Sequence, residues 1–212
     1  MTALPVADRE SEIMNNTVEF FFDVGSPASY LAWTQLPALC QRAGATLTYR
    51  PMLLGGVFQA TGNVSPVTVP AKARYWAIDM DRFAQRYGVT LATNPHFPIN
   101  TLLLMRAATG VQMRMPERSH EFLSAVFKAI WIDALNLNDA SVTTTMLADA
   151  GFDPAHIVSL ANDAEIKAAL RVTTEEAVAR GVFGAPTLFV GEEIFFGQDR
   201  LEFVAEALTR QT

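Results

Sequence analysis

The sequence predicts an α/β protein in which one strand-bearing layer is interrupted by a long helical insertion. Three observations carry this expectation. The chain opens with strand, turn, helix and strand signals in succession; a helical period then holds from Val69 to about Gly181; and the C-terminal end returns to short β-like runs. Its 212 residues, 50% apolar and 18% charged, suit one large or two small compact domains with a sizeable core.

Residues 18–24 (VEFFFDV) do not alternate cleanly, which fits a strand covered on both faces. Ser26 suits an N-cap and Pro27 the first helical position, so a helix is expected from there to about residue 43, ended by Gly44. Pro37 inside it predicts a kink or a restart. Residues 46–52 (TLTYRPM) read as a second strand, parallel to the first through a right-handed crossover. Next, Ala73, Trp76, Met80, Phe83 and Tyr87 share one helical face, and Gly88 stops it. Further helices are expected over 100–109, 116–135, 141–150, 154–161 and 164–180, with Ser141 and Asp153 as caps and Gly110, Gly151 and Gly181 as stops. Residues 187–190 and 194–196 read as a hairpin around Gly191-Glu192-Glu193, and Gly197-Gln198-Asp199 opens a last helix over 200–209.

A net charge of −6 without any Lys/Arg-rich run argues against nucleic acid as a partner. The first sixteen residues carry no apolar stretch of signal-peptide type, and no run approaches the ~18 apolar residues of a membrane span. The simplest placement is cytoplasmic, with residues 1–16 as a frayed arm. The one cysteine, Cys40, cannot form an internal disulfide, and His96, His120 and His156 lack ligand spacing, so no metal site is expected.

Two short stretches carry chemistry. Strand–turn–helix openings such as EFFFDVGSPASYLAW (19–33) often hold a Cys-x-x-Cys pair at the turn; here the tetrapeptide is Ser26-Pro27-Ala28-Ser29. Ser26 reads either as a routine cap, worth ~1 kcal/mol, or as a donor beside a helix N-terminus aimed at a ligand anion. Gly184-Ala185-Pro186-Thr187 enters a strand through proline, which reads as an ordinary trans turn or as a cis bond.

Together these pieces resemble the thioredoxin fold in its DsbA-like, kappa-class glutathione-transferase form, and within it the 2-hydroxychromene-2-carboxylate isomerases. The matching segments are F-F-F-D-V-G-S-P-A-S-Y-L-A (20–32), T-G-N-V-S-P (61–66), P-A-K-A-R-Y-W (70–76), D-x-x-R-F-A-Q-R-Y-G (79–88), N-P-H-F-P-I-N (94–100), G-V-F-G-A-P-T-L-F-V (181–190) and F-F-G-Q-D-R-L (195–201). The resemblance implies a thioredoxin-like domain of residues 17–60 and 181–212, with an all-helical domain, 61–180, inserted. It implies glutathione as cofactor, a planar aromatic carboxylate as substrate, a homodimer, and a cis–trans isomerisation in aromatic hydrocarbon catabolism. Ser26 matches the serine that hydrogen-bonds the glutathione sulfur. Ala185 and Pro186 match the cysteinyl-binding turn, and Phe196, Gly197, Gln198 and Asp199 match the loop for the γ-glutamyl end. Gln198-Asp199 equally reads as a plain cap of the last helix.

Asn63, Lys72 and Phe97 fall in the segments matching the substrate side. Lys72 reads as the carboxylate's partner or as a solvated lysine. His96 reads as a proton shuttle or a surface residue, Trp131 and Asp133 as site or core, and Phe58 and Trp76 as pocket wall or core filling. Gly25 departs from the pattern, standing where relatives often carry a larger apolar residue. Three alternatives remain: a kappa-like glutathione transferase or peroxidase, a redox-inactive glutathione-binding module, and a thiol–disulfide oxidoreductase. The last is disfavoured, because Cys40 lies about fourteen residues, roughly 20 Å, along the helix from the turn.

Overall fold

A computed structural model describes residues 16–210. The expected arm, residues 1–16, lies outside the described residues except for Asn16. Four strands and nine α-helices are described: β1 (Thr17–Phe22), α1 (Pro27–Ala43), β2 (Thr46–Pro51), α2 (Leu54–Thr61), α3 (Pro70–Tyr87), α4 (Leu102–Arg114), α5 (Ser119–Trp131), α6 (Ala140–Asp149), α7 (Pro154–Asn162), α8 (Ala164–Ala179), β3 (Thr187–Val190), β4 (Glu193–Phe196) and α9 (Leu201–Arg210). The sheet order is β2-β1-β3-β4; β1 runs parallel to β2, and β3 is antiparallel to both β1 and β4.

The phenylalanine run explains why β1 sits inside the sheet. Successive side chains point to opposite faces. Phe20 and Phe22 enter the large core built with α1, α4, α5 and α9, while Phe21 enters a smaller core with Met52, Val57, Ala177, Val182 and Phe189. On this second face Arg180 pairs with Glu19 at 2.8 Å and lies 3.8 Å from the Phe189 ring centroid, while Arg50 bridges Glu19 and Glu176. Both faces of β1 are thus closed, and its C-terminal end delivers Asp23, Gly25 and Ser26 to one edge of the molecule.

Four elements differ from the sequence reading. α1 continues through Pro37 without a restart. α2 was not expected, because Gly55 and Gly56 each weaken a helix interior by ~1 kcal/mol relative to alanine. Gly110 does not end a helix but sits inside α4, where a Cβ would meet Ile166 at 3.0 Å and Leu160 at 3.1 Å. That glycine serves close packing against α7 and α8, not chain reversal. The expected 116–135 helix is a 3-10 turn, Pro116–Arg118, followed by α5. No helix among the described residues is long and apolar enough to cross a membrane.

Candidate active site

The site forms where the N-terminus of α1 meets the turn before β3. Ser26 is the N-cap of α1, with extended backbone, φ −96° and ψ 117°. Its Oγ accepts from Ser29 N–H at 3.1 Å, and its hydroxyl donates to Ala185 C=O at 2.9 Å. The Ala185–Pro186 peptide is cis. Of the remaining first-turn donors, Pro27 has no N–H, and Ala28 N–H has no partner among the described residues while Ala28 lines the cleft. An open backbone donor therefore stands at the positive end of a 17-residue helix, beside a hydroxyl whose one proton goes to Ala185 C=O. A helix start of this kind favours negative charge.

Beneath Ser26 lies an anchor that the sequence reading missed. Asp23 is 2% exposed and accepts three hydrogen bonds: from Gly25 N–H at 2.9 Å, Leu54 N–H at 2.9 Å and the Thr101 hydroxyl at 3.1 Å. One carboxylate thus ties together the Ser26 turn, the start of α2 and the entry to α4. Burial raises its pKa, and the three donors oppose that rise. The same crowding explains Gly25: a Cβ there would lie 2.8 Å from the Thr101 methyl. The glycine accommodates a close approach.

The facing wall runs from residue 183 to residue 199. Gly197 N–H donates to Pro186 C=O at 3.0 Å, which joins the cis-proline turn to the loop before α9. Gln198 is 5% exposed, and its carbonyl accepts from the Tyr87 hydroxyl at 2.5 Å. Burial foremost, with the Asp199 carboxylate nearby, pushes that phenol up to about 12, so it stays a donor. Asp199 pairs with Arg200 at 2.5 Å. Gly197 holds φ 100° and ψ 156°, a region essentially reserved for glycine, and a Cβ there would lie 2.5 Å from Asp199 Oδ1. Gly197→Ala is expected to cost about 1–3 kcal/mol, checked by denaturant unfolding with an unchanged m-value.

Of the other sequence-expected residues, Phe58, Asn63, Trp76 and Phe97 line this cleft of about 300 Å³, as do Ala185, Pro186, Phe196, Gly197, Gln198 and Asp199. Asn63 is turned to closure: its Nδ2 donates to Phe183 C=O at 2.8 Å. Asp79 also lines the cleft and was not singled out from sequence, since nothing in a helical repeat marks which acid faces a cavity. An adjoining apolar cavity of about 370 Å³ shares Pro27, Trp76, Met80 and Phe97 with the cleft. Lys72 is exposed on the first turn of α3 and lines neither cavity; among the described residues no lysine or arginine does. His96 is exposed outside both cavities, and Asp133 pairs with Lys128 at 2.5 Å. Trp131 is 4% exposed, lines the second cavity, and donates from Nε1 to Val24 C=O at 2.8 Å, bracing the same turn. Cys40 is buried in α1, and burial pushes its thiol up to about 11.

The family model described as DSBA-like thioredoxin domain matches residues 17–209. The 2-hydroxychromene-2-carboxylate isomerase of Sphingobium xenophagum is 31% identical over 197 residues, covering 92% of this chain and 99% of that protein. Glutathione S-transferase kappa 1 of Rattus norvegicus is 28% identical over 203 residues, covering 90% of each chain. A solved 2-hydroxychromene-2-carboxylate isomerase superposes with a TM-score of 0.79 at 28% identity, over 92% of this chain and 95% of that one.

Proposed function

The chain belongs to the DSBA-like thioredoxin domain family, in its 2-hydroxychromene-2-carboxylate isomerase branch, and from that premise we propose that it is a glutathione-dependent cis–trans isomerase of a flat aromatic substrate. The observation that carries this reading is Ser26 at the N-cap of α1, its hydroxyl 2.9 Å from the carbonyl that precedes cis Pro186.

The donor set fits glutathione. Bound there, glutathione supplies the sulfur nucleophile that Ser26-Pro27-Ala28-Ser29 lacks. The open Ala28 N–H stabilises negative charge at its end of the cleft, and the Ser26 hydroxyl does so by turning its one proton from Ala185 C=O to the sulfur. The Ala185–Pro186 turn offers backbone polar groups to the tripeptide's middle. Gln198 and Asp199, with the loop held by Tyr87, receive its charged end. Trp76 and Phe97, whose ring centroids lie 6.2 Å apart, form the apolar wall on which an aromatic ring is oriented. The protein's contribution is orientation and charge stabilisation, with no side-chain nucleophile of its own.

A second reading is a kappa-like transferase acting on a neutral electrophile. The absence of lysine and arginine from both cavity linings, among the described residues, favours it, because no cation waits for a substrate carboxylate. One assay separates the two readings. Turnover of 2-hydroxychromene-2-carboxylate with glutathione, and little conjugation of chlorodinitrobenzene, supports the isomerase; the reverse pattern assigns the transferase. Thiol–disulfide exchange does not fit, since Cys40 is buried with its thiol protonated.

A further inference from the structure

A cavity of about 730 Å³ lies away from Ser26. It is a groove between α2, α4 and α8, on the opposite side of α2 from the cleft: Leu54 and Phe58 face the cleft, whereas Leu53 and Gly56 line the groove. Its floor is apolar, with Leu102, Leu170 and Val178 alongside Leu53. The α8 lining runs from Ala164 to Val178, about 21 Å of helix, so the groove is elongated.

Two cations project into this apolar setting. Arg106 and Lys167 both line the groove, both are partly buried, and neither has an ion-pair or hydrogen-bond partner among the described residues. The other charged pair there is self-compensated, Arg171 lying 3.7 Å from Glu175. Two cations thus stand beside an apolar wall with no carboxylate paired to either among the described residues. Long apolar walls with an unpaired positive end have the complement of one chemical class.

We propose that this groove binds a small amphiphilic carboxylate, its chain along α8 and its head between Arg106 and Lys167. The length of the groove favours a chain over a compact bicycle, and its volume lies within the range of small-molecule sites, roughly 300–1,000 Å³. The site is independent of the glutathione assignment, because α2 stands between the two.

The test is calorimetry on the full chain with decanoate, with decyltrimethylammonium as a probe of equal chain and opposite charge. Decanoate binds one per chain, the cation does not, and glutathione does not compete. Arg106→Met weakens decanoate about tenfold, as expected for loss of a charge-assisted contact, while Arg106→Lys retains most of it. Lys167→Met weakens it as well, and gives a readout that does not depend on Ala168→Phe, which fills the groove and abolishes binding. No heat with decanoate, equal binding of the cation, displacement by glutathione, or indifference to both charge variants overturns the proposal. So does a fall in mass by light scattering in Ala168→Phe without decanoate binding in the parent, which gives the groove to a second copy of the chain.

Discussion

Ser26→Ala is expected to lower turnover about ten- to a hundredfold in the glutathione-dependent assay, while the fold survives. The size follows from one donor to a charged group, worth ~1.5–3 kcal/mol. The same change removes the cap on Ser29 N–H, worth ~1 kcal/mol, and the bond to Ala185 C=O, worth about 0.5–1.5 kcal/mol, so activity and stability must be read separately. Ser26→Asp separates them. Aspartate caps a helix as well as serine does, so the bond to Ser29 N–H is kept, and the stability lost is that of the missing bond to Ala185 C=O alone. Its carboxylate cannot donate and repels an anion, so activity falls at least as far as in Ser26→Ala. Full activity in Ser26→Asp would remove the donor role.

Asp23→Ala has the largest expected effect on stability. It strands Gly25 N–H, Leu54 N–H and the Thr101 hydroxyl beside a new void. At ~1–3 kcal/mol for each unsatisfied buried donor, partial relaxation leaves a loss of about 3–5 kcal/mol, a large share of a typical domain's 5–15 kcal/mol. Urea unfolding checks it through a lower midpoint. The pH dependence has a defined sign. Burial raises Asp23 above 3.8, so the folded chain holds that proton where the unfolded chain has released it. The associated stability is full below the unfolded pKa and declines as pH rises through the folded value. Asp23→Asn removes that declining component; an unchanged slope across the acid range would contradict it.

Much of the site was legible because its parts are local. The Ser26-Pro27 cap, the proline entering β3 and the glycine before Gln198 each announce themselves within a few residues. β1 was legible because three successive phenylalanines leave no polar face. What stayed hidden depends on partners distant in sequence. Asp23 meets Leu54 across 31 positions and Thr101 across 78, and an aspartate ending a strand otherwise reads as a turn residue. Gly110 read as a stop because a glycine at a helix–helix contact and one at a helix end look alike until Ile166 is placed beside it. Lys72 stayed open between substrate partner and solvated lysine because a motif gives a residue's position and not its facing; in the structure it is exposed on α3 and lines neither cavity.

The central claim is that α1 and Ser26 ionise a thiol the chain does not itself own. Titrating thiolate absorbance of the chain saturated with glutathione tests it most directly. An ordinary thiol titrates near 8.5; the bound one is expected about two units lower, returning toward 8.5 in Ser26→Ala. A bound thiol that titrates at its free value in the parent chain would contradict the account.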